Sequence, residues 1–332
     1  MKRLIDTLPG VFMSVDEVTD TLSHMWDTEA GAEGGRMDFR ASQMNLILHF
    51  GLETSAAEAL EQFNTAIVFA QKYPCRLVVL CPYSESDSEV KFEGKLFSQC
   101  YIGKHLRDVC CCEALILGYS PEQSDFLENQ VSIWLESDLP IYHWLHRVPA
   151  ERISKHYLGF FKRCRRVLYD GSVEGDVYDL IEWPDPDRVI DLTKARSLPL
   201  RQHLGQFISR FSPSELVDGL QTLNFRYSKS MRRMAMQLMG WHKTALSKCF
   251  DRPADIDSVI LSLEPLSADD HDCCLRIDWQ FADAEKTLKL DYNRSRKSGI
   301  IRTNLSSGQL EHPLHVEPLS AEAVLGEALF FG

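Results

Sequence analysis

Three adjacent cysteines, Cys110, Cys111 and Cys112, form the densest group of reactive side chains in this 332-residue sequence. Thiols so placed could ligate a metal or act as a redox switch. A tetrahedral zinc site uses Cys-x-x-Cys-like spacing and a second ligand pair, and successive strand residues point to opposite faces, so one shared ion is disfavoured. A switch requires an exposed thiolate of low pKa; the favoured expectation is small side chains filling a buried strand. Cys273 and Cys274 read the same way. His143 and His146 are three apart on an expected strand, hence on opposite faces, and His312 and His315 carry no stronger signal. Arg232 and Arg233 are more informative, because they fall in the first turn of an expected helix, where the helix dipole opposes cations. An internal carboxylate could compensate them, as could a bound anion such as a phosphosugar or a partner's acidic patch. Lys162, Arg163, Arg165 and Arg166 sit near an expected helix end, where the dipole favours them. The chain has no G-x-G-x-x-G, Walker A, G-x-S-x-G or H-E-x-x-H motif. No catalytic, cofactor-binding or metal-binding residue is therefore assigned.

The elements that must position these residues follow from periodicity. Arg107 to His146 reads as strand, helix, strand. The apolar run Ala114–Leu117 follows the cysteines, Ser120 is an expected N-cap with Pro121 at the first helical position and Gln123 closing a capping box, and Phe126, Leu127, Val131 and Trp134 share a face. Asp138-Leu139-Pro140 stops the helix, and Ile141–Leu145 is apolar enough for a strand covered on both faces. Upstream, Val15–Trp26 has helical spacing, and Gly31, Gly34 and Gly35 make a flexible link. Met44–Phe50, a helix capped by Ser55 and Glu58 with Leu60, Phe63, Ile67 and Ala70 buried, and Leu77–Leu80 make a right-handed parallel crossover. Past Lys194 the character changes. Two long helices, one from Pro199 and one over Met231–Lys248, precede strands with clean alternation, in which Leu275, Ile277, Trp279 and Phe281 oppose Arg276, Asp278 and Gln280. Such alternation indicates an antiparallel sheet with one wet face. The expected fold is an α/β N-terminal domain with a mixed, largely parallel sheet flanked by helices (1–190, with a helical arm 1–36), then an α+β domain with an antiparallel sheet (191–332).

Composition narrows the function classes. A hydrophobic fraction of 44% and a charged fraction of 25% are ordinary for a globular protein. The net charge of −12 disfavours general nucleic-acid binding, which depends on neutralising phosphates with Lys and Arg. No apolar run approaches the roughly 18 residues that span a bilayer. The start MKRLIDTLPG lacks an apolar export core, so reduced thiols and a cytoplasmic location are expected for the ten cysteines.

Arg107, Val109, Cys110, Cys111 and Glu113, followed by Asp138-Leu139-Pro140 and Trp144, resemble a segment of the glucose-6-phosphate dehydrogenase assembly protein (OpcA) family. Leu22, Trp26 and Met44-Asn45-Leu46 resemble it upstream, and Arg196–Phe211 and Leu238–Trp241 downstream. Cys112 is an extra residue in the pattern, and Ser137 stands where a Pro is expected. The resemblance implies a non-enzymatic partner that binds glucose-6-phosphate dehydrogenase and supports its active oligomer. Contacts are then expected at Arg107, Glu113, Asp138 and Trp144, with Arg232 and Arg233 as a further partner or anion site. A phosphosugar-binding enzyme or sensor, and a thiol sensor built on Cys110–Cys112, are the alternatives.

Overall fold

The computed structural model describes residues 3–18, 20, 21, 24, 42–84, 92–102, 109–267, 274–305 and 308–332, with backbone alone at 100–102 and 109–111. Gly31, Gly34, Gly35, Arg107, Cys273 and part of the expected Val15–Trp26 helix lie outside the described residues. The chain forms two compact units, Met1–Leu192 with Ala321–Gly332, and Thr193–Ser320.

The first unit is built on strands β1 (Val11–Met13), β2 (Asn45–Phe50), β3 (Arg76–Pro82), β4 (Phe92–Ile102), β5 (Val109–Tyr119), β6 (Ile141–His146), β7 (Arg166–Tyr169) and β8 (Val189–Asp191). They form one sheet in the order β1-β4-β5-β3-β2-β6-β7-β8. From β5 to β8 every pairing is parallel, while β4 and β1 add antiparallel strands at one edge. Counting the parallel strands alone, chain order 1 to 6 becomes spatial order 3-2-1-4-5-6, a doubly wound arrangement whose direction reverses between β2 and β6. All six residues of β2 are buried, as a strand covered on both faces requires.

One face is covered by helix Ala56–Lys72, which starts with the expected Ser55–Glu58 capping box. Phe63, Ile67 and Ala70 point inward, but Leu60, on the flank of that stripe, is 42% exposed. Helix Ala321–Phe330 packs on the same helix, with the Phe330 ring 4.9 Å from Tyr73. The opposite face carries Ile47, Val78, Leu115, Leu117 and Val167 under helix Ser124–Trp134 and the helical segment 150–161. Two expectations fail on this side. Ser120 makes no cap bond: a tight 3-10 turn, Pro121–Gln123, intervenes, and the Ser124 hydroxyl donates to the Pro121 carbonyl at 2.6 Å. Leu127, Val131 and Trp134 are buried, whereas Phe126 lies about 100° round the helix from Leu127 and faces outward. The segment 150–161 contains a π-helical turn, Ile153–Tyr157, which shifts its inward face within one element.

The second unit contains β9 (Leu220–Tyr227), β10 (Ile260–Pro265), β11 (Leu275–Phe281), β12 (Thr287–Asn293), β13 (Ser298–Leu305) and β14 (Gly308–His315), in the order β10-β9-β11-β12-β13-β14. The sheet is largely antiparallel as expected, but β10 runs parallel to β9. Its core joins Leu275, Ile277 and Trp279 to Leu204 and Phe207 of helix Leu198–Ile208 and Leu238 of helix Arg232–Ser247. The Met231 helix face is core: Met231, Ala235, Leu238 and His242 are buried. Asp278, expected to face water, is buried because Arg226 of β9 donates to it across the strand pair.

Candidate functional site

In a doubly wound sheet, ligands bind outside the carboxyl ends of the strands where the winding reverses. Here that point lies between Gly51, after β2, and Arg147, after β6. The Gly51 amide donates to the His146 carbonyl at 2.8 Å. A Cβ on Gly51 would sit 1.5 Å from the Arg147 carbonyl oxygen, so only glycine fits there. Arg147 has φ 56°, in the left-handed region. That turn sends its amide to Glu174 Oε1 at 2.7 Å and its guanidinium to Glu58 Oε1, with Nε at 2.9 Å.

Glu58 also closes the capping box, its Oε2 accepting from the Ser55 amide at 3.0 Å and the Ser55 hydroxyl at 2.8 Å. A helix N-terminus at this position is where a dinucleotide fold receives phosphate. In this chain the place is taken by a carboxylate of the helix itself, clamped by Arg147. Hydrogen bonds from Arg147 hold Glu58 down at about 2. Glu174 goes the other way: burial pushes it up to about 7, outweighing the Arg147 amide and guanidinium. The crevice is thus closed by backbone contact and a self-satisfied ion pair.

A second polar feature runs beneath the helices. His143 Nε2 lies 3.2 Å from His49 Nδ1, His49 Nε2 2.7 Å from Tyr119 Oη, and Tyr119 Oη 3.1 Å from Tyr157 Oη. Tyr157 meets the Ser124 hydroxyl at 3.1 Å, and Arg152 donates to that oxygen and to the Pro121 carbonyl, each at 2.7 Å. Burial, with Arg152 adding to it, pushes His49 down to about 3; burial also lowers His143 well below its usual value. Both rings are therefore neutral near neutral pH. The chain of bonds ties β2, β5 and β6 to the two covering helical segments. Sequence reasoning missed it by weighing His143 against His146 and passing over His49. The available signal was His49 and His143, histidines inside two largely apolar strands, with Tyr119 closing a third.

The sequence-derived candidates do not converge. Glu113 is half-buried in β5 opposite Ser98, and Asp138 is exposed just before β6. Trp144 is 3% exposed, with no acceptor for its Nε1 among the described residues, so it packs inside the unit and offers no surface to a partner. Arg232 is half-buried and Arg233 buried, both in the second unit. Cys110 and Cys111 pair in register with Tyr101 and Cys100 of β4. Cys112 is buried, its Sγ 4.0 Å from the Ile67 carbonyl. Among the described residues no group of three His, Cys, Asp or Glu could hold a metal, and no helix is long and apolar enough to cross a membrane.

Residues 66–182 match the family model described as the glucose-6-phosphate dehydrogenase subunit N-terminal domain of the OpcA assembly family. A protein provisionally named OxPP cycle protein OpcA from Synechocystis sp. is 24% identical over 55% of this chain and 39% of its own length. One with the same provisional name from Synechococcus elongatus is 30% identical over 52% of this chain and 40% of its own length. The match thus spans well under half the length of these curated relatives. A solved aldose-aldose oxidoreductase from Caulobacter crescentus, complexed with glycerol, covers 86% of this chain and 88% of its own at 11% identity, with a TM-score of 0.32, a value too low to establish a shared fold. Residues 66–182 are thus similar to the OpcA family of glucose-6-phosphate dehydrogenase assembly proteins.

Proposed function

We propose that this protein is a non-enzymatic partner of glucose-6-phosphate dehydrogenase, acting in the cytoplasm to support the active oligomer. Binding the active oligomer more tightly than its inactive forms shifts the dehydrogenase toward activity by that difference in affinity. One observation carries the reading beyond the family match. The crevice where a doubly wound sheet would hold a nucleotide is filled by Gly51 against Arg147 and by the Arg147–Glu58 pair. A fold with its ligand crevice closed by its own side chains fits a binding role better than a catalytic one. The test is to mix the purified full chain with the cognate dehydrogenase and follow oligomer mass by light scattering alongside activity and KM. The expected result is a stable complex with raised activity or lowered KM. Absence of association together with unchanged kinetics overturns the proposal.

A further inference from the structure

Among the described residues of 66–182, the most exposed large apolar side chains are Phe126 at 60%, Ile133 at 65%, Val177 at 53% and Leu180 at 82%. All four stand on the layer that covers one face of the first sheet. Their helical neighbours Leu127, Val131, Tyr178 and Ile181 share that layer's core. Phe126 and Ile133 are seven residues apart on helix Ser124–Trp134, so they fall on nearly one stripe. Val177 and Leu180 are three apart on the 3-10 turn Val177–Leu180, where residues at that spacing eclipse. The segment 150–161 packs against helix Ser124–Trp134 and, through Phe161 on Trp183 at 5.8 Å, against the stretch after the 3-10 turn. The two apolar pairs therefore belong to one continuous side of the unit.

Charge indicates what this side meets. From Ser120 to His146 the sequence contains five carboxylates and no Lys or Arg, and Glu174 to Asp187 contains six and again none. Glu122 and Asp125 flank the first pair, and Asp176, Asp179 and Glu182 flank the second, all exposed. Cations meet this layer from the middle segment and its end, where Arg163 lies 3.7 Å from Glu128, and at its margins, where Arg76 pairs with Glu136 and Arg188 with Asp185. Buried apolar anchors inside a polar rim are the usual anatomy of an interface.

We infer that this side is the docking surface for the dehydrogenase, and that the dehydrogenase meets it with two apolar recesses, each bordered by Lys or Arg. The inference rests on the proposed function and names the surface that would perform it. Three sets of full-length variants test it: Phe126→Ser with Ile133→Ser, Val177→Ser with Leu180→Ser, and Glu122→Lys with Asp125→Lys. Ile260→Ser, an exposed apolar residue of the second unit, is the control. Because these side chains are exposed, the apolar variants should keep the wild-type thermal midpoint, while the charge reversal, which gives up the Asp125–His156 contact at 2.6 Å and puts a cation in the first turn of helix Ser124–Trp134, should lower it slightly. Each apolar pair should weaken dehydrogenase binding roughly tenfold or more. The charge reversal should weaken it and flatten its salt dependence, while Ile260→Ser binds as wild type. If the wild type binds and the apolar pairs bind equally well, the surface assignment falls while the proposed function stands. If the wild type does not bind the dehydrogenase, both fall. If the wild type is a dimer that the apolar variants convert to monomer, the occupant is a second copy of this chain and the inference is overturned.

Discussion

Replacing Glu174 with Gln tests whether the closed crevice is electrostatically arranged as the geometry indicates. The carboxyl accepts from the Arg147 amide, yet burial raises it from 4.5 to about 7, because the Arg147 guanidinium is committed to Glu58. Asp170 and Glu53 push in the same direction. A raised carboxyl pKa means that the folded chain binds a proton which the unfolded chain has already lost. The contribution is present near pH 4.5 and is lost as pH rises through about 7. A shift of this size corresponds to roughly 3 kcal/mol at 1.36 kcal/mol per unit. Partial exposure of Glu174 reduces that to about 1–3 kcal/mol. Gln keeps the oxygen that accepts from Arg147 and cannot ionise. Glu174→Gln should therefore match the wild type near pH 5 and exceed it by about 1–3 kcal/mol at pH 8, on the order of several degrees in Tm. Thermal unfolding of both proteins across pH 5 to 8 reads this directly. Parallel pH profiles, or a Gln variant less stable at pH 8, would refute the reasoning.

Other consequences are equally direct. Gly51→Ala forces a Cβ to within 1.5 Å of the Arg147 carbonyl, so the β2–β6 connection must shift; a loss of about 2 kcal/mol or more in chemical denaturation is expected. Trp144→Phe removes an indole N–H that has no acceptor among the described residues, so stability should change by less than about 1.5 kcal/mol and dehydrogenase binding should be unchanged. A large loss of binding would restore Trp144 as a contact. Cys81, Cys112 and Cys164 are buried, and burial pushes the Cys164 thiol up to about 12, so native-state alkylation followed by mass spectrometry should leave all three unmodified. Rapid labelling of Cys112 would revive the thiol-sensor reading.

Local pattern revealed the elements more reliably than their surroundings. The largely apolar β2 and β6, the Ser55–Glu58 box and the alternation of Leu275 to Phe281 are short-range signals, and each became the expected element. Phe126 and Leu60 were placed in the core on periodicity alone; each lies at the edge of a stripe, where the neighbouring layer decides burial. The Ser120 box failed because a proline-led 3-10 turn was as compatible with the sequence as a full helical turn. The parallel pairing of β10 with β9, and the His49–His143–Tyr119 network, depend on register between distant segments, which no local spacing encodes. The site was least legible for the same reason: the capping box identifies Glu58 as a helix start, but nothing local brings Arg147 and Glu174, roughly 90 and 115 residues further on, to it and to Gly51.

Helix Ala321–Phe330 has a consequence for the order of events during synthesis. It completes the first unit by covering helix Ala56–Lys72, and Arg166 of β7 donates to the Ala328 carbonyl at 2.6 Å. Yet Thr193–Ser320 separates it from the rest of that unit. On the ribosome, the second unit must emerge before this helix can dock. Until then the nascent chain leaves Phe69 and Tyr73, the aromatic partners of Phe330, uncovered. Closing so long a loop adds little entropic cost beyond that of a short one, but it makes completion of the first core a late step. Ribosome-stalled chains ending before Ala321 should therefore be more sensitive to protease near Phe69 than released full-length protein.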